Sequence, residues 1–373
     1  MAESFKKIFI ITGDYSGDKH GSGVVRELQK KSNIVIEGVG GINLEKTGIK
    51  LLFNQDKMNT MGITPKSIYN HILMGKRIVD YLKNEFKPDL VLLIDYGAFN
   101  LQISKRLKKA GIKTFYFIPP QIWASRKWRL KTIKKNIDKV FTIFPFEKEF
   151  YEKEGINSIY VGHPLVKELP DPVDKAAFFE KHNLDKNKKL IGVFPGSRMF
   201  EIKFLFKIFE NAVKLIEKKL DNVQFVFSLS ENLADDVYKT KYKVIKGENH
   251  ALLSASDALI LASGTVALEA ALYKTPMIIA YRGPFIFYLI YLLVRTIKKA
   301  CLVNIITGKD IVPEFLMYDA TSEKISNKII DILNNEDEKN RQLNGFNEVE
   351  NKLGTTHAVE VVADEIIKEL ENG

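Results

Sequence analysis

Residues 7–31 read KIFIITGDYSGDKHGSGVVRELQKK. Lys7–Thr12 is an apolar run of strand length, Gly13–Gly23 is glycine-rich, and Ser22–Lys31 has the spacing of an amphipathic helix. Such a strand, turn and helix is the opening unit of a parallel α/β sheet. Glycines at 13, 17, 21 and 23 would let the backbone approach a ligand, with the N–H groups of the following helix aimed at it. A purely structural glycine-rich turn is the competing reading. The spacing is not that of a dinucleotide fingerprint, and no acid closes the next strand before Gly38. Asp14 and Ser16 supply polar groups at the turn and join Asp95 as candidate catalytic residues, and Gly17 is a candidate substrate contact.

Outward from this unit the same texture repeats. Strands are expected at Ile34–Val39, Leu90–Asp95, Lys113–Ile118, Lys139–Phe144 and Ser158–Val161, with helices at Lys66–Phe86 and Asn100–Ala110. A charged, proline-containing stretch follows, and then a second series at Leu190–Phe194, Gln224–Leu229, Lys243–Ile245, Ala258–Leu261 and Pro276–Ala280. The expected division is an N-terminal Rossmann-like domain over 1–167, a linker over 168–188, and a second Rossmann-like domain over 189–340. Helices over 341–373 are expected to pack back on the first domain. From Ser322 onward the sequence is helical and polar. Tandem α/β domains bind ligands at the carboxyl ends of their strands.

Three further motifs sit at such strand ends. Asp95 closes the apolar run VLLID, where partial burial would raise its pKa towards a general-base role; the alternative is that it caps the next helix. FPGSR (Phe194–Arg198) opens a helix with Gly196 and Ser197, and Arg198 can grip phosphate with two nitrogens. In LASGTVALEAAL (Leu261–Leu272) Ser263, Gly264 and Thr265 lie at a second strand-to-helix junction. Glu269, four residues after Thr265, shares its helix face and could accept both hydroxyls of a ribose. Two junctions of phosphate-binding type in one domain, together with an inward glutamate, suit a nucleoside diphosphate. No Asp-x-Asp, HExxH or Cys/His cluster occurs, so no metal and no cofactor is expected. His163, in VGHP, reads as a hinge residue beside Pro164 or a substrate contact.

The chain has 373 residues, a formal charge of +10, 45% hydrophobic and 27% charged residues, which suits two globular domains. The lysines are spread along the chain and no nucleic-acid motif appears, so nucleic acid is not an expected partner. A single cysteine, Cys301, and a short charged start with no secretory pattern point to the cytoplasm. The longest apolar run, Pro284–Val294 (PFIFYLIYLLV), is followed by Arg295, Lys298 and Lys299. It is too short for the ~20 residues of a membrane span and reads as a buried core helix or as an interfacial one lying on anionic lipid.

In order and spacing these motifs resemble one family, the lipid-A-disaccharide synthases. The resemblance spans nearly the whole chain. It rests on GDYSGDKHGSG, TMGI (Thr60–Ile63), IDYGAFN (Ile94–Asn100), PPQIWASR (Pro119–Arg126), FPFEKEFY (Phe144–Tyr151), VGHP, FPGSR with Glu201, ASGTVALEAAL and LVNIITG (Leu302–Gly308). It implies a B-type glycosyltransferase architecture: two Rossmann-like domains with parallel sheets facing across a cleft. It also implies a metal-independent, inverting reaction that joins UDP-2,3-diacylglucosamine to 2,3-diacylglucosamine 1-phosphate through a β-1,6 linkage at the cytoplasmic face of the inner membrane. Arg198, Glu269 and Asn304 take the UDP-side roles, Asp95 is the carboxylate for turnover, and Met61 and Gly62 are substrate contacts. An anionic membrane surface, met through Pro284–Lys299, is the expected partner, and a homodimer is an open expectation. The family's usual glutamate in GEASGD is Asp14 here, and its acceptor-side acids and tryptophan are replaced by Ala98, Pro65 and Ser125. Another UDP-sugar transferase with a lipid-linked acceptor, a UDP-sugar epimerase and a non-catalytic sugar-nucleotide binder are the rival readings.

Overall fold

The computed structural model describes residues 5–54, 65–124, 127–284 and 299–372. Met61 and Gly62, Ser125, and 285–298 of the apolar run lie outside the described residues. The chain divides into two compact units, 1–167 with 355–373, and 168–354.

In the first unit β1 (Lys7–Ile11), β2 (Val35–Gly40), β3 (Lys50–Asn54), β4 (Leu90–Ile94), β5 (Thr114–Phe117), β6 (Lys139–Thr142) and β7 (Ser158–Tyr160) form one parallel sheet. Their order is 3-2-1-4-5-6-7. The alternation of side chains along a strand splits the core between the two faces. Ile8, Ile10, Leu90, Leu92, Phe115 and Phe117 are buried on one, and Phe9, Ile11, Val91, Leu93 and Tyr116 on the other. Both faces are covered by helices, so the strands are nearly continuously apolar.

In the second unit β8 (Lys189–Phe194), β9 (Val223–Leu229), β10 (Lys243–Lys246), β11 (Ala258–Ala262), β12 (Met277–Tyr281) and β13 (Glu314–Leu316) pair in parallel in the order 10-9-8-11-12-13. In each sheet the strand order reverses once, between β1 and β4 in the first and between β8 and β11 in the second. Crevices at the carboxyl ends of strands flanking such a reversal are where open α/β sheets take their ligands.

Two domain boundaries differ from the sequence reading. Residues 168–188, read as a linker with a short helix, belong to the second unit: the helix is Lys175–Lys181, Asp174 caps it through Ala177 N at 2.7 Å, Phe178 and Phe179 are buried, and Lys175 pairs with Asp257 at 2.7 Å. Two adjacent phenylalanines need a core, and the second unit supplies it. The C-terminal helices also divide. Glu336–Leu353 stays with the second unit, while Ala358–Asn372 belongs to the first and packs on the helix Tyr15–Lys31. There Val362, Ala363 and Ile366 share a core with Val24, Val25 and Leu28. Lys31–Asp364, Lys113–Glu369 and Lys139–Glu365 ion pairs flank it. Among the described residues no helix is long and apolar enough to cross a membrane.

Candidate functional site

The second unit carries a cavity of about 300 Å³ at its β8/β11 reversal, lined by Gly196, Ser197, Arg198, Glu201, Ser228, Ser230, Asn249, Ser263, Gly264 and Thr265. Every one of the phosphate-type residues expected at the two junctions is there. β8 ends at Phe194, and Gly196 turns the chain with φ +126, a conformation open to glycine; a Cβ there would also lie 2.5 Å from that of Glu201. The helix Met199–Glu217 follows. Glu201 reaches back to accept Ser197 N (2.9 Å) and Arg198 N (3.3 Å), the reciprocal half of a capping box. The N–H groups of the N-cap Arg198 and of Ser197 before it are therefore held by an internal carboxylate. The Arg198 side chain is 81% exposed, with Nη1 at 3.6 Å from Glu201 Oε1. At the second junction a Cβ on Gly264 would meet nothing within 4 Å, so the backbone there is bare.

Glu269 lies in the first turn of the helix Val266–Leu272, half-buried, and is not among the residues that line the cavity, although Thr265 and Val266 beside it are. Burial raises its pKa, and His250, with Nδ1 at 3.7 Å, works against that rise. Asn304 is a different case. It is buried and does not line the cavity. Its Nδ2 donates to Val312 O and Glu314 Oε1, both at 2.7 Å, and its Oδ1 accepts Ile311 N and Val312 N, both at 2.8 Å. Two donors and two lone pairs are all an amide has. The side chain braces the segment leading into β13 and has no capacity left for uridine. Asn304→Ala would strip this partner from two N–H groups and a carbonyl, the Glu314 carboxylate keeping Ala300 N and Cys301 N, so it is expected to cost about 2–5 kcal/mol of unfolding free energy, read in a urea titration.

Ser228, Ser230 and Asn249 were not singled out in the sequence. They stand within β9 (Ser228), just after it (Ser230) and at the start of the helix Asn249–Ala255, with no motif to announce them; Ser228 Oγ donates to Asn249 Oδ1.

In the first unit the corresponding reversal brings the ends of β1 and β4 together. The helix begins at Tyr15, seven residues before the expected Ser22, because Asp14 caps it through Gly17 N at 2.7 Å. Gly17, Gly21 and Gly23 are thus helical packing positions, not a bare loop. A Cβ on Gly17 would lie 3.5 Å from that of Asp95, one on Gly21 3.3 Å from Ile94 Cδ1, and one on Gly23 3.1 Å from Val359 Cγ1. Gly13 lies against the Tyr96 ring so closely that a Cβ would fall 1.9 Å from Cδ1. Asp18 is fully buried and accepts Gly41 N (2.6 Å), Asn43 N (2.7 Å) and Leu44 N (3.3 Å), which fastens the β2 exit to the first helix. Ser16 is exposed, its Oγ 3.4 Å from His20 Nε2.

Asp95 does not cap the following helix, Gly97–Lys109, whose N-cap is Tyr96 without a side-chain bond. Its carboxyl is instead pushed up to about 6, first by burial and then by the Asp14 carboxylate; the Tyr96 N–H and His20 pull the other way. A carboxylate of this kind is largely ionised at neutral pH yet basic enough to accept a proton. His163 is buried against Phe144, ring centroids 5.0 Å apart, and its Nδ1 accepts Leu165 N at 3.2 Å. Among the described residues no cluster of three or more metal-ligating side chains occurs.

Comparison with known proteins follows the same lines. A family model described as lipid-A-disaccharide synthetase matches residues 8–365. A lipid-A-disaccharide synthase of Myxococcus xanthus is 32% identical, covering 98% of each chain, and one of Coxiella burnetii is 34% identical, covering 96% of this chain and 97% of that one. Among solved structures, a UDP-GlcNAc 2-epimerase of Neisseria meningitidis bound to UDP-GlcNAc superposes with a TM-score of 0.67 at 16% identity, covering 97% of this chain and all of that one. That likeness concerns the fold, the two parallel-sheet α/β domains of B-type glycosyltransferases and epimerases. The motifs, their spacing and the identity over almost the full length agree: the chain belongs to the lipid-A-disaccharide synthase family.

Proposed function

We propose that the chain transfers an acylated glucosamine from its UDP-activated form to an acylated glucosamine 1-phosphate, giving the β-1,6-linked lipid A disaccharide 1-phosphate and UDP. The family match over residues 8–365 carries this reading. The acceptor's 6-hydroxyl oxygen forms the new bond to the anomeric carbon from the face opposite UDP. The bond to the diphosphate oxygen breaks, and its electron pair leaves with UDP. The hydroxyl proton goes to Asp95.

The first unit supplies the base. What supports this role is a half-buried carboxyl held near pH 6 at a strand reversal. The second unit holds the leaving group. Arg198 offers the positive charge, and the bare Gly264 backbone and the Ser263 and Thr265 hydroxyls offer donors; Glu269, in the first turn of the helix after this junction, takes the ribose by the family resemblance. Fixed dipoles and one guanidinium stabilise the developing diphosphate charge. Asp14 tunes Asp95, and Ser16 lies on the exposed rim of the same turn. Met61, Gly62 and Gly17 belong to the acceptor side, Gly17 by giving Asp95 room.

The protein acts at a membrane surface. Support comes from the charge of +10 and from Tyr69, Ile72 and Leu73, exposed on the helix Pro65–Tyr81 beside Lys76 and Arg77. The test is incubation of purified protein with both acylated sugars and mass spectrometry of the lipid fraction. A disaccharide 1-phosphate in step with UDP release is expected. A free altered sugar without a lipid product would assign an epimerase, and UDP-sugar binding without turnover would assign a binding protein.

A further inference from the structure

Asp95 and Tyr96 are consecutive non-glycine residues in the left-handed region, at φ +48 and φ +49. Each is disfavoured there by its own Cβ, and such strain persists only when the surroundings over-determine it. The restraint is concentrated on one atom. The carbonyl oxygen of Asp95 accepts Tyr116 Oη–H at 2.8 Å and Asn100 Nδ2–H at 2.8 Å. Asn100 Nδ2 also donates to Ile94 O at 3.2 Å, so one amide spans the last strand residue and the first strained one. The Asp95 N–H is fixed to Phe117 O at 3.0 Å.

Both donors are fully buried. Tyr116 lies on β5, the strand beside β4, and its burial raises its pKa well above the ordinary value, so it remains a phenol with a proton to donate. Asn100 leaves its Oδ1 buried with no hydrogen-bond partner. A helix that needed only packing at this place would be served by leucine. An asparagine that orphans its own acceptor while spending its NH₂ group on two carbonyls of the strained turn is explained by what that group holds.

We propose that Tyr116 and Asn100 are positioning residues for the transfer reaction, locking the left-handed turn that keeps the Asp95 carboxylate beside Asp14 and His20. This rests on the reading of Asp95 as the base. Without the two donors the turn relaxes towards ordinary backbone, the carboxylate moves into water, and its proton affinity falls. The glycosyl donor, held by the other unit, is unaffected.

Tyr116→Phe removes a single oxygen and leaves Asn100 holding the carbonyl, so the variant folds. It is expected to lower kcat about tenfold, keep KM for the UDP-sugar within twofold, and move the acid limb of the pH profile down from about 6 towards the ordinary carboxylate range near 4. Asn100→Ser, read the same way, shows the same two signatures. A kcat and an acid limb unchanged in both variants overturn the proposal. So does a fall in kcat with the acid limb unmoved, which marks general damage. Asp95→Asn, assayed in parallel, separates the two ideas: an active Asp95→Asn enzyme removes the role of Asp95 itself, whereas an inactive one beside a normal Tyr116→Phe enzyme removes only the positioning.

Discussion

Asp95→Asn is expected to lower kcat by about 10²–10⁴ while leaving UDP binding and the fold intact. Asparagine has nearly the same shape and is, after glycine, among the residues most tolerant of left-handed backbone, so the φ of +48 survives the exchange. Only the charge is lost. The stability of the variant should move the opposite way from its activity. The Asp95 carboxyl is raised to about 6, from an unfolded value near 4, chiefly by burial. Its protonated form is thus the one the fold prefers, and its contribution to stability, full below pH 4, is lost as pH rises through 6. Holding it ionised at pH 8 costs on the order of 2–3 kcal/mol, which the amide does not. An inactive protein that melts higher than its parent at pH 8, with the difference vanishing near pH 4, is the expected pair of results. In the parent, activity should climb through pH 6 to a plateau. In Asp14→Asn the limb should shift to lower pH, since removing the neighbouring carboxylate removes the second cause of the raised value. A plateau that persists in Asp95→Asn would rule the carboxylate out as base.

Much of this was legible beforehand, and the gaps have physical reasons. The central strands were readable because a parallel strand covered on both faces is a run of apolar residues bounded by turns: KIFII, LVLLI, KLIGVF and ALILA. The two strands missed, Lys50–Asn54 and Glu314–Leu316, are edge strands at the ends of their sheets, neither with a fully buried residue and the second only three residues long. The glycine-rich segment was misread for another reason. A helix interior with glycines at 17, 21 and 23 contradicts propensity, and the structure overrides it in close packing, where neighbouring atoms lie 3.1, 3.0 and 3.1 Å from where a Cβ would stand. The positions of Asp95, FPGSR and the Ser263–Thr265 junction just beyond β4, β8 and β11 were legible because polar residues and glycine following an apolar strand are visible in one dimension. Asn304 shows the converse. Family likeness placed it among the ligand contacts, but only three-dimensional structure reveals that all four of its hydrogen-bonding positions are spent inside the chain. Ser230 and Asn249 reach the cavity from separate elements that no sequence spacing connects.

Arg198→Ala is the second large effect, and the geometry argues that it exceeds the loss of one donor. An exposed arginine whose partner stands at 3.6 Å contributes little to folding, so the variant should unfold like its parent. Function is another matter. By analogy with a deleted oxyanion donor, ~2–4 kcal/mol of transition-state stabilisation is lost, a fall of about 30- to 1000-fold in kcat/KM for the UDP-sugar. Glu201 adds to this. Its carboxylate sits on the Ser197 and Arg198 N–H groups at the cavity wall, and in the parent the guanidinium faces it. With the arginine gone, an arriving diphosphate meets an uncompensated negative charge. Arg198→Lys restores the charge but not the two-nitrogen grip, so it should recover only part of the activity. Adding Glu201→Gln to Arg198→Ala removes the repulsion and should return some UDP affinity, measurable by calorimetry at low salt. If the double variant bound UDP no better than Arg198→Ala alone, the carboxylate would be a helix cap and nothing more, and the whole loss would belong to the guanidinium.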